Sequence, residues 1–287
     1  ECTYTGKNEK LKGKLISVPL FGDARTIVYN KDLFKKADVP EPTTSWTHEE
    51  FYNNAAALTK KIDGVQVYGF GTSARYASQY LPFVWNLGGE ILNEDMTKST
   101  VNTPSWKAAI EYYKKFFDNN ITPPGSVNIN LADIQKMFAN GEVAMFVTTQ
   151  DYVKELMKDP TMKDKIGVGQ MPHEQKQTAF AGADVFVIPV LSKNPDEAAQ
   201  LLKFLVSTDN QVDYCKTVGF IPSLKSAASN PAFTEDPIKK VFTQAVSYGK
   251  YYVKSEKAST ITTILRGEIQ SAISNQKTID QALQDID

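Results

Sequence analysis

Two strongly β-forming runs lie back to back near the start of this chain, residues 15–21 (LISVPLF) and 26–29 (TIVY), with only Gly22-Asp23-Ala24-Arg25 between them. Apolar, β-branched runs of this kind are stable when buried on a sheet. A glycine and two opposite charges suit a turn or water instead. The four-residue break therefore has two readings. It is a hairpin with a solvated ion pair, or a chain crossing between two lobes with Asp23 and Arg25 facing the cleft. Spacing alone does not separate them.

Helical and strand periodicities alternate through the rest of the chain. Thr47 and Glu50 form a capping box that opens a helix over 49–61, with Phe51, Ala55 and Leu58 on one face. Gly64 ends it, and residues 65–70 read as a strand running into GTSARY. An aromatic-rich segment, 76–87, stops at Gly88-Gly89. Thr103-Pro104 starts a helix striped with Trp106, Ala109, Ile110, Tyr113, Phe116 and Phe117. Further on, 131–139 is helical, 143–149 a strand, 151–158 a helix, and 166–170 and 184–190 are strands. Asn194-Pro195 opens the next helix, 210–217 is another, and 220–233 (FIPSLKSAASNPAF) reads as an extended polar linker. Asp236-Pro237 begins a further helix. Two more cover 260–274 and 278–286, the second with a Thr278/Gln281 capping box. This interleaving predicts an α/β protein with buried sheets.

Composition removes several function classes. Lys+Arg 32 against Asp+Glu 33 leaves a net charge of -1, which gives no field to attract nucleic acid or an acidic membrane. No apolar run reaches membrane-spanning length. The first ten residues, ECTYTGKNEK, hold no hydrophobic core of a signal peptide. Two cysteines and two histidines without metal-ligand spacing predict no zinc site and no other metal. Cys2 and Cys215 could pair in an oxidising compartment, but Cys215 in DYCKTVG reads better as a small buried hydrophobe. His48 at a helix start and His173 in a polar loop read as solvated. Gly69–Ala74 fits G-x-G-x-x-A after a strand with Glu90 downstream, a dinucleotide pattern. Glu90, however, follows a Gly-Gly break rather than ending a second strand. No other catalytic signature is present, so no enzyme and no cofactor are expected; an NAD-dependent enzyme using Gly69–Ala74 is the alternative from another class.

In α/β sheets, ligands bind beyond the carboxyl ends of strands. Four such places mix small residues with hydrogen-bonding ones: Gly22–Arg25, Thr72–Tyr76, Thr148–Tyr152 and Ala181–Asp184. Asp accepts from hydroxyls, Arg donates to them, and aromatic faces pack on sugar rings. Tyr76, Trp85, Tyr152, Tyr251 and Tyr252 are candidate stacking residues.

An ordered set of short matches runs through the chain: Gly13-Lys14-Leu15, Pro19, Tyr29-Asn30-Lys31-Asp32-Leu33, Trp46, Gly88-Gly89 and residues 138–145 (FANGEVAM). It continues with Phe180-Ala181-Gly182, Ile188-Pro189, residues 192–195 (SKNP), Ile221-Pro222 and residues 278–283 (TIDQAL). Together they resemble the extracellular solute-binding proteins of ABC importers, in the carbohydrate-binding, maltose-binding-protein-like group. The resemblance implies a type II periplasmic-binding-protein fold of two α/β lobes. Residues 1–22 and 185–222 would form lobe 1, and 24–179 with 228–287 lobe 2. Crossovers would lie near 22–25, 180–184 and 222–227. It places ligand contacts on Asp23, on the loop holding Thr72, Ser73 and Tyr76, on Asp151, on Gly182, Ala183 and Asp184, and on Arg266. Arg25, Trp85 and Tyr152 join them from the residue reading.

The implied role is binding a sugar or oligosaccharide between the lobes and delivering it to a membrane permease. The implied form is a monomer outside the cytoplasm, in a periplasm or as a Gram-positive cell-surface lipoprotein. A non-sugar solute, such as a polyol phosphate or peptide, is the alternative within the fold. Maltose-binding protein has ring-stacking aromatics where this chain has Asp151 and Thr262, which argues against malto-oligosaccharides. Family members also carry a substantial portion ahead of the first crossover. Lobe 1 is therefore expected to be incomplete and to expose unpaired strand edges.

Overall fold

The computed structural model describes residues 2–3, 10, 12–42, 45–253 and 255–287. In chain order the elements begin with β1 (Val18–Ala24), β2 (Thr26–Asn30), α1 (Lys31–Ala37), α2 (His48–Leu58), β3 (Lys61–Ile62), β4 (Val65–Gln66) and β5 (Tyr68–Gly71). Next come α3 (Ala77–Asn86), α4 (Pro104–Asp118), α5 (Leu131–Ala139), β6 (Val143–Thr148), α6 (Gln150–Leu156), β7 (Ile166–Gly169) and β8 (Ala181–Phe186). The rest comprises α7 (Pro195–Leu205), α8 (Thr208–Val218), β9 (Ile221–Pro222), α9 (Lys225–Ala228), α10 (Pro231–Thr234), α11 (Pro237–Tyr248), α12 (Ala258–Ile273) and α13 (Ile279–Ile286).

The two apolar runs at the start do not pair with each other. β1 sits in a sheet of order β8-β1-β9, whereas β2 sits in one of order β5-β6-β2-β7. The chain therefore crosses from one sheet to the other at Arg25, and the hairpin reading is excluded. β1 pairs antiparallel with β8, bringing Asp23 opposite Gly182 and Ala24 opposite Ala181. β2 is antiparallel to both β6 and β7, and all five of its residues are buried. Parallel pairing of β5 on β6 completes the larger sheet.

Helices cover both faces, and their ends carry the expected chemistry. The Thr47/Glu50 capping box is complete in both directions, and Asp236 accepts from the amides of Ile238 and Lys239 to open α11. Trp106, Ala109, Ile110, Tyr113 and Phe116 of α4 are buried, so the stripe is core. One apolar cluster fills the larger domain around them. A second runs from Phe21 through Val28 and Phe146 to Cys215, Phe233 and Phe242, and so crosses between the sheets. Helix α11 carries that crossing, packing on β1 and β9 of one sheet and on β7 and β2 of the other. Cys215 is buried and unpaired, its thiol pushed up to about 12 by burial, and Cys2 is also free.

Three expectations need correction, and the disfavoured dinucleotide pattern finds a packing reason for its glycines. Residues 220–233 are not an extended linker: β9, α9 and α10 lie within them, because Ala227 and Phe233 find buried sites and Asn230 caps α10. The strand predicted over 184–190 is instead Ala181–Phe186; it starts earlier because it pairs with β1 from Ala24 back to Val18, and Val190 and Leu191 beyond it are 97% and 89% exposed. The glycines of Gly69–Ala74 serve packing rather than a phosphate. A Cβ on Gly69 would lie 1.8 Å from the Ala55 carbonyl oxygen, and one on Gly71 2.6 Å from Ile134. His48 is not solvated. It is buried, stacked on Tyr112 at 4.4 Å and edge-on to Phe83.

The expectation of exposed edges holds. Among the described residues β8 is an edge strand with Val185 exposed, Val187 just past its end is exposed too, and α7, although amphipathic, buries no residue. Leu201 and Phe204 on that helix are 56% and 63% exposed.

Two outcomes follow from these environments. Burial lowers the His48 pKa to about 4, so the unfolded chain takes up a proton near pH 6.5 that the fold refuses. Stability should fall by on the order of 3 kcal/mol as pH drops from 6.5 to 4. His48→Phe, followed by denaturant melts across this range, should lose that slope. The double substitution Leu201→Ser, Phe204→Ser should change the unfolding free energy by no more than about 0.5 kcal/mol while reducing fluorescence of a hydrophobic dye, because both side chains are more than half exposed.

Candidate functional site

The sheet crossing sets the site. Asp23 ends the exposed side of β1, and one residue later Arg25 turns its guanidinium back on it, Nη1 donating to Oδ2 at 3.2 Å. Both side chains are only about one-quarter exposed, at 22% and 26%. Across the ladder, Gly182 lets the carboxylate lie against the backbone: a Cβ there would sit 2.3 Å from Asp23 Oδ1. Burial holds the Asp23 pKa above the ordinary carboxylate value. Arg25 opposes that shift, while the charges of Asp151 and Asp184 add to it. Asp151, at the first turn of α6, and Asp184, on β8, are both exposed and near enough to act on Asp23. Ala183 lies between Gly182 and Asp184 on the same strand.

Aromatic groups continue from the guanidinium. Arg25 lies over the Phe180 ring at 4.8 Å, its backbone N–H donates to the Phe180 carbonyl, and Phe180 stacks on Trp85 at 5.8 Å. Trp85 is mostly buried. It borders a cavity of about 180 Å³ with Glu90, Lys250, Tyr251 and Tyr252, and Lys250 pairs with Glu90 over the indole. Glu90, the residue a ribose would need, is committed to that ion pair.

The other predicted residues are placed differently. Thr72 and Ser73 are fully buried. Thr72 shares a 2.7 Å hydrogen bond with the Tyr113 hydroxyl, and Ser73 donates to the Ile129 carbonyl. They brace the loop after β5 and present no free hydroxyl. Tyr76 is half-buried beside Arg75 and Asn130 at the rim of that loop. Tyr152 donates to the Gln135 carbonyl of α5, and burial pushes its phenol up to about 12. Arg266 is exposed on α12 and acts electrostatically on Tyr80, whose buried hydroxyl has no hydrogen-bond partner. The structure thus gathers Asp23, Arg25, Gly182, Ala183, Asp184 and Asp151, reaches Trp85 through Phe180, and shows no contact between Arg266 and the cluster.

Two residues matter more than a residue-by-residue reading suggests. Phe180 is the ring under Arg25. Gln150 is a buried amide at the head of α6, and its position directly after strand β6 was the available signal. Among the described residues no group of acidic, histidine and cysteine side chains has the arrangement of a metal site, and no helix is long and apolar enough to cross a membrane.

The profile of the bacterial extracellular solute-binding protein family matches residues 3–241. The chain belongs to that family. A putative binding protein of Brucella abortus is 29% identical over 280 residues, covering 96% of this chain and 67% of that protein. The diacetylchitobiose-binding protein DasA of Streptomyces coelicolor is 26% identical, over 78% of this chain and 53% of its own length. Among solved structures, an ABC transporter solute-binding protein of Thermotoga lettingae bound with α-D-tagatose superposes with a TM-score of 0.84. It is 20% identical, over 98% of this chain and 72% of that one. Maltose-bound T. maritima MalE3 gives 0.82 at 24% identity, over 96% and 71%. These likenesses show the two-lobed fold of periplasmic sugar-binding proteins, and this chain spans about seven-tenths of those structures.

The raised Asp23 pKa has a sign that can be tested. Between the ordinary carboxylate range and the higher folded value, the fold keeps a proton that the unfolded chain has lost, so stability falls as pH rises through that window. Asp23→Asn should flatten this part of the profile of melting temperature against pH.

Proposed function

We propose that this family member binds a sugar or oligosaccharide at the sheet crossing, with Asp23, Arg25, Asp151 and Asp184 as its polar contacts. The observation that carries this reading is the composition of the cluster: three carboxylates around one guanidinium, beside stacked aromatic rings. Carboxylate oxygens accept from ligand hydroxyls, and Arg25 retains N–H groups to donate after bonding Asp23. Phe180 and Trp85 supply ring faces of the kind that pack on the C–H face of a pyranose. Gly182 and Ala183 let a ligand approach the β8 backbone. Tyr76 and Arg266 are proposed at the periphery, with Thr72, Ser73 and Tyr152 as supports of the binding loops. Residues 1–22 with 185–222, and 24–179 with 228–287, are proposed as the two lobes, with α11 shared between them.

A sugar bridging the crossing and α6 would favour a closed arrangement, and that population shift is what a membrane permease would read. The protein acts in this reading as an extracytoplasmic monomer, in a periplasm or as a surface lipoprotein, with binding rather than catalysis as its role. The sn-glycerol-3-phosphate-binding protein UgpB of Brucella abortus is a relative at 25% identity over 226 residues, so a phosphorylated polyol is the competing ligand. The same carboxylates disfavour it, since a phosphate would meet more negative than positive charge.

A thermal-shift screen separates these ligands. A sugar at a hundred times its dissociation constant should stabilise the protein by about 2.7 kcal/mol. Glycerol 3-phosphate should give no shift. Asp23→Ala should weaken the sugar by about tenfold to a hundredfold, the loss expected for a hydrogen bond to a charged group. A response to glycerol 3-phosphate with none to any sugar would refute the substrate class.

A further inference from the structure

The crossing strand has an unusual neighbour on its second edge. β9 pairs with β1 only at Phe21 and Gly22. Beyond that point the edge is continued by a side chain. The Gln150 carboxamide donates from Nε2 to the Gly22 carbonyl at 3.2 Å and accepts at Oε1 from the Ala24 N–H at 3.4 Å. It does what a further strand residue would do, satisfying one backbone acceptor and one donor that would otherwise be buried without partners. The bonded groups belong to the residues on either side of Asp23. Gln150 itself is 4% exposed and stands immediately before Asp151.

We infer that Gln150 is a positioning residue for ligand recognition: its carboxamide clamps the crossing to the head of α6 and so sets the spacing of Asp23 and Asp151. A primary amide suits this task because it offers a donor and an acceptor in one plane and carries no charge beside three carboxylates. Neither a hydroxyl nor a carboxylate at this position offers both at that reach. Thr26, next in the chain, begins the buried strand β2, so the clamp holds the last backbone groups before the chain commits to the second sheet. Asp23 is thereby fixed with Arg25 beside it, Asp184 on β8 and Asp151 on α6, the charged groups that act on it. This inference rests on the proposal that the crossing binds sugar.

Gln150→Met keeps the length and volume of the side chain and removes both bonds. Sugar affinity is measured by calorimetry in four proteins: the parent, Gln150→Met, Asp23→Asn and the double variant. Gln150→Met should weaken binding about tenfold in the parent and by less than about twofold in the Asp23→Asn background, because the clamp acts through Asp23. Equal losses in both backgrounds, or none in the parent, would overturn the role. A carboxyl titration of Asp23 by nuclear magnetic resonance reads the same geometry without ligand. In Gln150→Met the Asp23 pKa should move down toward the ordinary carboxylate value, as water enters and Asp151 is released. An unchanged titration would also overturn the inference. If the parent binds no sugar, the functional reading fails by itself, and the Asp23 titration still decides whether Gln150 sets the site.

Discussion

The architecture depends on a crossing made without a loop. Ala24 is fully buried and closes β1, Thr26 is fully buried and opens β2, and Arg25 alone separates them. A junction this short in the interior must satisfy its backbone groups at once. Arg25 donates its N–H to Phe180, Ala24 donates to Gln150, and Gly22 receives from Gln150. The polar side chains that remain are therefore held in a shallow site whose geometry the backbone dictates. Asp23 lies against the Gly182 backbone, in the space a Cβ there would occupy.

A second constraint comes from α11. A crossing of one residue would leave the two sheets free to hinge if nothing else joined them. Yet the apolar cluster around Phe21, Phe146, Phe233 and Phe242 is common to both sheets, and α11 packs on strands of each. Any motion of one sheet against the other must slide or tilt this shared packing. By contrast, the outer side of the smaller sheet, around β8 and α7, carries exposed Val187, Val190, Leu201 and Phe204. Among the described residues, Phe21, Val212, Cys215 and Ile221 of the smaller sheet and its helices are buried in the cluster it shares with the larger sheet.

Much of this was legible in the sequence where local signals and burial agree. The Thr47/Glu50 box, the α4 stripe, and the pairs Asn194-Pro195 and Asp236-Pro237 each state a helix boundary in local chemistry. Family resemblance then chose the interlobe crossing over the hairpin at Gly22–Arg25, which no periodicity could. Three of the misses share a physical cause: tertiary burial overrides local polarity. Residues 220–233 look like a linker because they are rich in Ser, Asn and Pro, but Ala227 and Phe233 anchor them. His48 looks solvated as the first residue of a helix, but Tyr112 and Phe83 cover it. Thr72 and Ser73 look like ligand donors at a strand end, yet Tyr113 and the Ile129 carbonyl claim their hydroxyls. Gln150 lay within the strand-end stretch Thr148–Tyr152, but a single amide states no role until its two backbone partners are known.

The arrangement around Arg25 shows how little freedom the site retains. Its guanidinium has five N–H groups in a fixed plane. One is spent on Asp23, and one face lies on Phe180, so the remaining donors project in directions fixed by the strand and the ring. Pinning the group in this way lowers the entropy lost when a ligand is bound. The pairing also moderates the repulsion among Asp23, Asp151 and Asp184 without cancelling it, which leaves acceptors in excess. If this cluster binds ligand as proposed, its charge selects before its shape, favouring hydroxyl donors over anions. In that proposal the rings and loop ends around the cluster decide between one sugar and another.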